Sequence, residues 1–308
     1  MDIGVIGTGM MGRNHARILS ELKTVGALLV YDSNRTAAED VAGKTGATVT
    51  ASLEEILTLS EAVVICVPTA GHLPVAREAA RRGVHFLVEK PVCSTTSEAA
   101  EMIAAVPSGL ITGVGHIERF NPIVDEIRRI VRKPLYVEAK RHNPASSRVS
   151  GSPVVEDLMI HDIDIIRNVL FSGEYSVKSA GFPDICGALF SFGSTPVYLS
   201  ASRKSSKKIR MIYVEEEDRT IEGDFMSQEV FVYRKPGQYN LEGERYVQEN
   251  IIEKVMVNKL EPLRVELSTF VSCVREGRDF PITLEQGKEN IMICEEIIAS
   301  PGYFPGST

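Results

Sequence analysis

The chain has 308 residues, a formal net charge of −7 and an ordinary globular composition, which sets aside a disordered or fibrous protein and a general affinity for nucleic acid or anionic membrane. Its five cysteines are scattered and lack a CxxC pair, so reduced thiols in a cytoplasmic protein are expected, with neither a disulfide framework nor a metal site. Apolar runs are only strand-sized, and a strand from Asp2 leaves no room for a targeting peptide, so no membrane span or signal is expected.

An apolar run from Asp2 to Gly7 leads into GTGMMG and then a helical pattern. Gly7, Gly9 and Gly12 thus follow a strand and open a helix. In that context Gly7 permits a tight turn, Gly9 lets a pyrophosphate approach the backbone, and Gly12 lets helix and sheet pack closely. With Thr8, Met10 and Met11 they form a candidate dinucleotide loop, in which the helix N-terminus offers N–H groups to phosphate. A second strand, Ala27 to Tyr31, ends in Asp32, placed to accept a bond from a ribose 2′-hydroxyl, so NAD is expected in preference to NADP. Arg35, close by, blurs that preference, because an arginine there accommodates a 2′-phosphate.

The alternation of strand and helix continues through strands at Ala47–Thr50, Ala62–Val67, His85–Val88 and Leu110–Gly115. Six strands with intervening helices predict a doubly wound α/β domain over residues 1–119, with ligands beyond the C-terminal strand ends. Asp32, Pro68, Thr69, Glu89, Lys90 and His116 occupy such ends. His72 either lines the same cleft or caps its helix, and His15 reads as helix packing.

After Arg119 the texture changes: ten of the 11 Phe and eight of the nine Tyr follow it. Seven alternating segments between Leu135 and Tyr233 predict a large, mostly antiparallel sheet, and helices return at Pro262–Glu276 and Leu284–Ser300. Residues 120–308 are therefore expected to form an α+β domain. Phe190, Phe192 and Tyr198 suggest a partly apolar sheet face that would join copies of the chain into a dimer or tetramer. Arg203, Lys204, Lys207 and Lys208 read most simply as a solvated connection.

The stretch VVEDLMIHDIDIIRNVL, Val154 to Leu170, predicts a buried helix. At about 100° per residue, Asp157, His161, Asp164 and Asn168 stack on one face. A carboxylate four residues before a histidine orients its imidazole and shifts its pKa, which suits proton transfer with a substrate hydroxyl.

The motifs GTGMMG at 7–12, VPTAGH at 67–72, FLVEKP at 86–91 and DLMIHDID at 157–164 together resemble the glucose–fructose oxidoreductase / inositol dehydrogenase family, often called Gfo/Idh/MocA. The resemblance runs nearly the whole chain. It implies a Rossmann domain followed by an open-sheet α+β domain, NAD(P)-dependent oxidation of sugar or cyclitol hydroxyls, and oligomer contacts through the sheet. Lys90 matches the family's EKP lysine, and Asp157 with His161 its DxxxH pair. His161 is then the base, Asp157 its partner, and Lys90 the donor that stabilises negative charge on the same oxygen.

VGHIERFNP and KRHNP…R further resemble the branch of the family that oxidises C3 of UDP-N-acetylglucosamine. That likeness makes a UDP-N-acetylhexosamine the expected substrate, with His116, Arg119, Asn121, Arg141, Arg148 and Asp164 as substrate-binding residues. Arg141 and Arg148 would grip the diphosphate. Two alternatives stand beside it: an inositol or free-sugar dehydrogenase, and a regulatory protein that binds NAD(H) without turnover. The intact Lys90, Asp157 and His161 set argues against the last.

Overall fold

A computed structural model of the chain describes residues 1–144, 151–235, 239–242, 245–248 and 251–305. It divides into two compact units: Met1–Phe120 with Glu261–Met292, and Asn121–Leu260 with Ile293–Thr308.

The first unit is built on a six-stranded parallel sheet of β1 (Ile3–Ile6), β2 (Leu28–Tyr31), β3 (Thr48–Val49), β4 (Ala62–Ile65), β5 (His85–Glu89) and β6 (Thr112–Gly115), in the order β3-β2-β1-β4-β5-β6. The reversal of order at β1 is the switch point at which such sheets bind ligands. Every residue of β1 and β4 is buried, which is why these strands are unbroken apolar runs with no alternation. Five helices connect the strands: α1 (Met10–Glu21), α2 (Arg35–Thr45), α3 (Leu53–Leu59), α4 (His72–Arg81) and α5 (Thr96–Ala105). Their starts are written locally. Asn34, Ser52 and Thr95 each accept an N–H bond from the residue three positions on, satisfying a donor the helix leaves open.

The second unit opens with α6 (Pro122–Ile130) and β7 (Tyr136–Pro144). The polar-striped stretch follows, with a short α7 (Ile160–Ile165) flanked by π-helical turns at Val155–Met159 and Ile166–Leu170. A single regular helix is therefore corrected to one widened at both ends. Such π-helical segments are rare and concentrate at functional sites. Next come β8 (Ser176–Phe182), β9 (Ile185–Phe192), β10 (Thr195–Ser202), β11 (Lys204–Glu215), β12 (Arg219–Asp224) and β13 (Glu229–Arg234). A ribbon of β14 (Tyr239–Glu242) and β15 (Arg245–Gln248) and the strands β16 (Ile251–Lys254) and β17 (Gly302–Tyr303) complete the β-structure. The main sheet runs β16-β13-β12-β11-β7-β10-β9-β8-β17 and is antiparallel except where β7 meets β10 and β8 meets β17.

Burial alternates along β7, β9 and most of β10 and β12. Phe190 and Phe192 point inward, where Phe192 stacks on Phe171 at 4.6 Å. They therefore do not front an open face, as the sequence suggested. The opposite face carries Leu189, Tyr198 and Tyr213 beside Glu138 and Glu222.

The expected boundary at residue 119 also needs correction further on. Helix α8 (Pro262–Glu276) and the first half of α9 (Leu284–Ile298) belong to the first unit. The physical reason is on β6. The Val114 N–H donates to the Ile282 carbonyl at 3.1 Å, and Gly113 leaves room for the Phe280 ring, which a Cβ would meet at 2.2 Å. No helix on either side of the division, among the described residues, is long and apolar enough to cross a membrane.

Candidate functional site

The GTGMMG loop forms the turn between β1 and α1. Gly7 has φ +92°, and a Cβ there would strike the Cys66–Val67 backbone at 2.7 Å. A Cβ on Gly12 would meet the Gly7 carbonyl oxygen at 1.9 Å, whereas one on Gly9 would meet nothing within 4 Å. Gly9 therefore faces open space, and as N-cap of α1 it caps no N–H with a side chain. The start of α1 thus carries no side-chain cap at Gly9 and leaves that end of the helix open in shape to an anion.

Asp32 closes the other side. Its Oδ2 accepts from the Thr8 N–H at 2.6 Å and hydroxyl at 3.0 Å, and its Oδ1 accepts from the Asn34 N–H at 2.8 Å. Partial burial pushes this carboxyl up, but the bonds from Thr8, Asn34 and Ser33 outweigh it and hold it below the usual range. Asp32 is thus ionised and fixed against the loop. A cleft of about 560 Å³ opens here, lined among others by Gly7, Gly9, Met11, Asp32, Pro68 and Cys66. These residues fit a dinucleotide: open space at Gly9, a helix start without a side-chain cap and an ionised carboxylate at the end of β2. Arg35 instead pairs with Glu39 at 2.8 Å on the surface.

The turn that carries Lys90 is held from below. Glu89, at the end of β5, bonds through Oε1 to His15 Nε2 of α1 at 2.6 Å, and its Oε2 accepts the Lys90 N–H at 3.2 Å. Burial alone would raise the Glu89 pKa; the bond to His15 and the charges of His15 and Lys90 bring it below its ordinary value. On α8, Glu266 lies fully buried with neither carboxylate oxygen bonded. Burial first, then the charge of Glu89, push its pKa well above the carboxylate range. Cys66 is pushed up in the same way and is no nucleophile.

His72, read as lining the cleft or capping its helix, is buried. Its Nδ1 faces the carbonyls of Pro91 at 3.0 Å and Val92 at 3.3 Å, and its Nε2 that of Val67 at 2.9 Å. It ties the chain around Val67 to the Pro91–Val92 segment.

In the second unit His161 is half-buried at the start of α7, and Asp157 half-buried in the preceding π-helical turn. Asp157 Oδ2 accepts from Arg203 Nη2 at 3.2 Å. Arg203 also lies 3.6 Å from Asp184, and its side chain is only 8% exposed. This is no solvated connection, as its basic neighbours implied.

Beside it, Asp162 accepts from Arg141 Nε and Nη2 at 3.1 and 2.6 Å, both side chains being almost fully buried. Arg141 also lies 5.3 Å over the Phe225 ring. Its expected role as a diphosphate grip is corrected: the guanidinium is committed to the core because alternation along β7 puts residue 141 on the inner face with Val137 and Ala139.

Other expected substrate contacts have structural partners too. Asp164 is buried and accepts from Asn168 at 3.1 Å, the pairing the stripe predicts. Asn121 caps α6 and donates to the Phe225 carbonyl at 3.0 Å. His116 is buried against Asn290 at 3.2 Å, and Arg119 is half-buried against Gln286 at 3.3 Å. Arg148 lies outside the described residues.

The sequence also held signals that were missed. Glu266 sits on the apolar stripe of Leu263, Leu267 and Phe270, and an acid in such a stripe calls for a partner or a proton. Arg203 had no local signal, since its partners lie 46 and 19 residues away. Among the described residues no group of three or more His, Cys, Asp or Glu side chains is placed to hold a metal ion.

A model of the oxidoreductase family GFO_IDH_MocA, described as an NAD-binding Rossmann fold, matches residues 1–116. UDP-N-acetylglucosamine 3-dehydrogenase of Acidithiobacillus ferrooxidans is 30% identical over 287 residues, 90% of each chain. A solved structure of that enzyme superposes with a TM-score of 0.88 at 28% identity, covering 97% of both chains. Inositol 2-dehydrogenase of Cereibacter sphaeroides is 31% identical over 59% of this chain and 58% of its own.

Proposed function

This chain belongs to the GFO_IDH_MocA family of NAD-binding oxidoreductases, and on that premise we propose that it oxidises a secondary hydroxyl of a sugar, namely C3 of a UDP-activated N-acetylhexosamine. The observation that carries the reading is the identity at full length. The relative that acts on UDP-N-acetylglucosamine is 30% identical over 90% of each chain, whereas an inositol 2-dehydrogenase of Rhizobium meliloti, matching over 96% of each chain, is 24% identical.

The loop of Gly7, Gly9 and Gly12 with the α1 N-terminus would hold the cofactor's pyrophosphate, and Asp32 its adenosine ribose. When bound, the nicotinamide supplies the hydride acceptor. The side chains handle the proton. Neutral His161 takes it from the substrate hydroxyl and becomes imidazolium, while the carbon loses hydride and the C–O bond becomes a carbonyl. Asp157 fixes the imidazole, and Lys90 donates a hydrogen bond to the oxygen as negative charge develops. Arg148 is the remaining expected ligand of a substrate diphosphate, whose anchoring would convert remote binding into orientation of the reacting centre.

A specific observation favours a second reading, an inositol or free-sugar dehydrogenase. Arg141, one of two cations expected to grip a diphosphate, is locked on Asp162. The test is NADH absorbance with UDP-N-acetylglucosamine, free N-acetylglucosamine and myo-inositol in turn. The UDP-sugar is expected to give the highest kcat/KM, and Arg148→Ala to lower it selectively. A free hexose or myo-inositol outperforming the UDP-sugar overturns the nucleotide-sugar assignment. Tight NAD binding with no turnover on any of them points to the regulatory class.

A further inference from the structure

We propose that Arg203 is a positioning residue for the Asp157–His161 pair: it shares the charge of Asp157 and so keeps His161 neutral and able to accept a proton. The inference rests on the reading of His161 as the base.

Three observations carry it. First, Arg203 is buried yet engages two carboxylates from different elements, Asp157 at 3.2 Å and Asp184 at 3.6 Å. One carboxylate satisfies a buried guanidinium's need for a counter-charge, so the reach to half-exposed Asp157 needs another reason. Second, Arg203 Nε is buried without a partner. A lost hydrogen bond at a buried donor is unfavourable, and it accompanies an orientation that turns both terminal nitrogens to the carboxylates. Third, the turn between β8 and β9 holds both ends of the arrangement. The Val154 N–H donates to the Pro183 carbonyl at 2.6 Å, and the Arg203 N–H donates to the Asp184 carbonyl at 2.8 Å. Lys204 Nζ adds a contact to Asp184 at 2.9 Å. The start of the His161 segment and the arginine are thereby fixed to one piece of backbone.

The electrostatic sense is definite. An anion four residues from a histidine favours imidazolium, and a cation on that anion opposes this. Other titratable groups of the second unit have environments of their own. Glu156 is raised by burial and by the charge of Glu295. Asp184 is paired with Lys204 and Arg203, and Asp162 with Arg141. The Tyr303 hydroxyl is pushed up to about 12 by burial and stays neutral. Arg203 donates directly to Asp157 through Nη2 at 3.2 Å.

The experiment is an NMR titration of the imidazole signals of the protein's six histidines, with His161→Ala assigning the resonance. Arg203→Gln is expected to raise the His161 pKa by about one unit, Arg203→Lys to restore most of the shift, and Asp184→Asn to move it downward. The low-pH limb of kcat/KM for UDP-N-acetylglucosamine should follow the same order. If His161 titrates alike in wild type, Arg203→Gln and Arg203→Lys, with melting temperatures preserved, the proposal is overturned. Should Arg203→Gln fail to fold, Asp184→Asn and Arg203→Lys decide: a shift of the same sign in both overturns it. Retained turnover in His161→Ala would instead remove the base assignment, while the titration still reports whether Arg203 acts on the imidazole.

Discussion

The two units hold their polar chemistry in opposite ways. In the first, the cleft beside β1 is made mostly of backbone: glycines with no Cβ, the start of α1, and one carboxylate fixed by Thr8 and Asn34. In the second, polar groups are held by ion pairs that join distant parts of the chain, Arg141 to Asp162 and Arg203 to Asp157 and Asp184. A backbone site needs only a short motif and the right elements around it. A site of buried charges needs each partner present, because removing one leaves the other unpaired in a medium that solvates it poorly.

That contrast is most exposed at Arg141. Arg141→Met strands Asp162 in the core and is expected to cost about 3–5 kcal/mol of stability, read as a lowered urea midpoint. Adding Asp162→Leu should restore much of the loss. A single variant as stable as wild type would mean that the second unit does not depend on this pair.

In the first unit the corresponding test changes ligand preference more than stability. Asp32→Ser removes the carboxylate expected to favour a ribose hydroxyl and repel a 2′-phosphate. The ratio of kcat/KM for NAD to that for NADP should fall by about 10- to 100-fold, as for loss of one charged hydrogen bond. A wild-type preference for NADP would refute the assignment of Asp32.

The first unit also has an exception to its own rule, Glu266, a buried acid with no bond. Its pKa is raised in the folded state, so the fold binds a proton that the unfolded chain releases. Stability is therefore lost as pH climbs above the ordinary carboxylate range. Glu266→Met removes that loss. It should raise the melting temperature at pH 8 by roughly 2–4 °C, about 1 kcal/mol, and by less at pH 5. An equal change at both pH values would show that Glu266 does not carry the proton.

Much of the first unit was legible because its information is local. A parallel strand buried on both faces is an apolar run, a helix start is a capping residue, and a phosphate loop is three glycines at fixed spacing. The antiparallel strands of the second unit were legible for a similar reason, since alternation with period two survives in any register. Alternation along β7 even placed Arg141 inside, but its basic neighbours disguised it as part of a loop. The oligomer face went wrong at one residue of parity: Phe190 and Phe192 are inward, and Leu189 is outward.

The sequence by itself determined the order and type of most elements up to Tyr233, the dinucleotide loop with Asp32, and the spacing of Asp157, His161, Asp164 and Asn168. Those are properties of neighbours along the chain, set by backbone sterics and periodicity. Tertiary structure alone decided that Glu261–Met292 returns to the first unit, that His72 and Arg141 serve the core, and that Arg203 reaches Asp157. Each of these depends on residues far apart in sequence. Burial and charge pairing between them acquire an energy only when the fold has brought them together and removed the water.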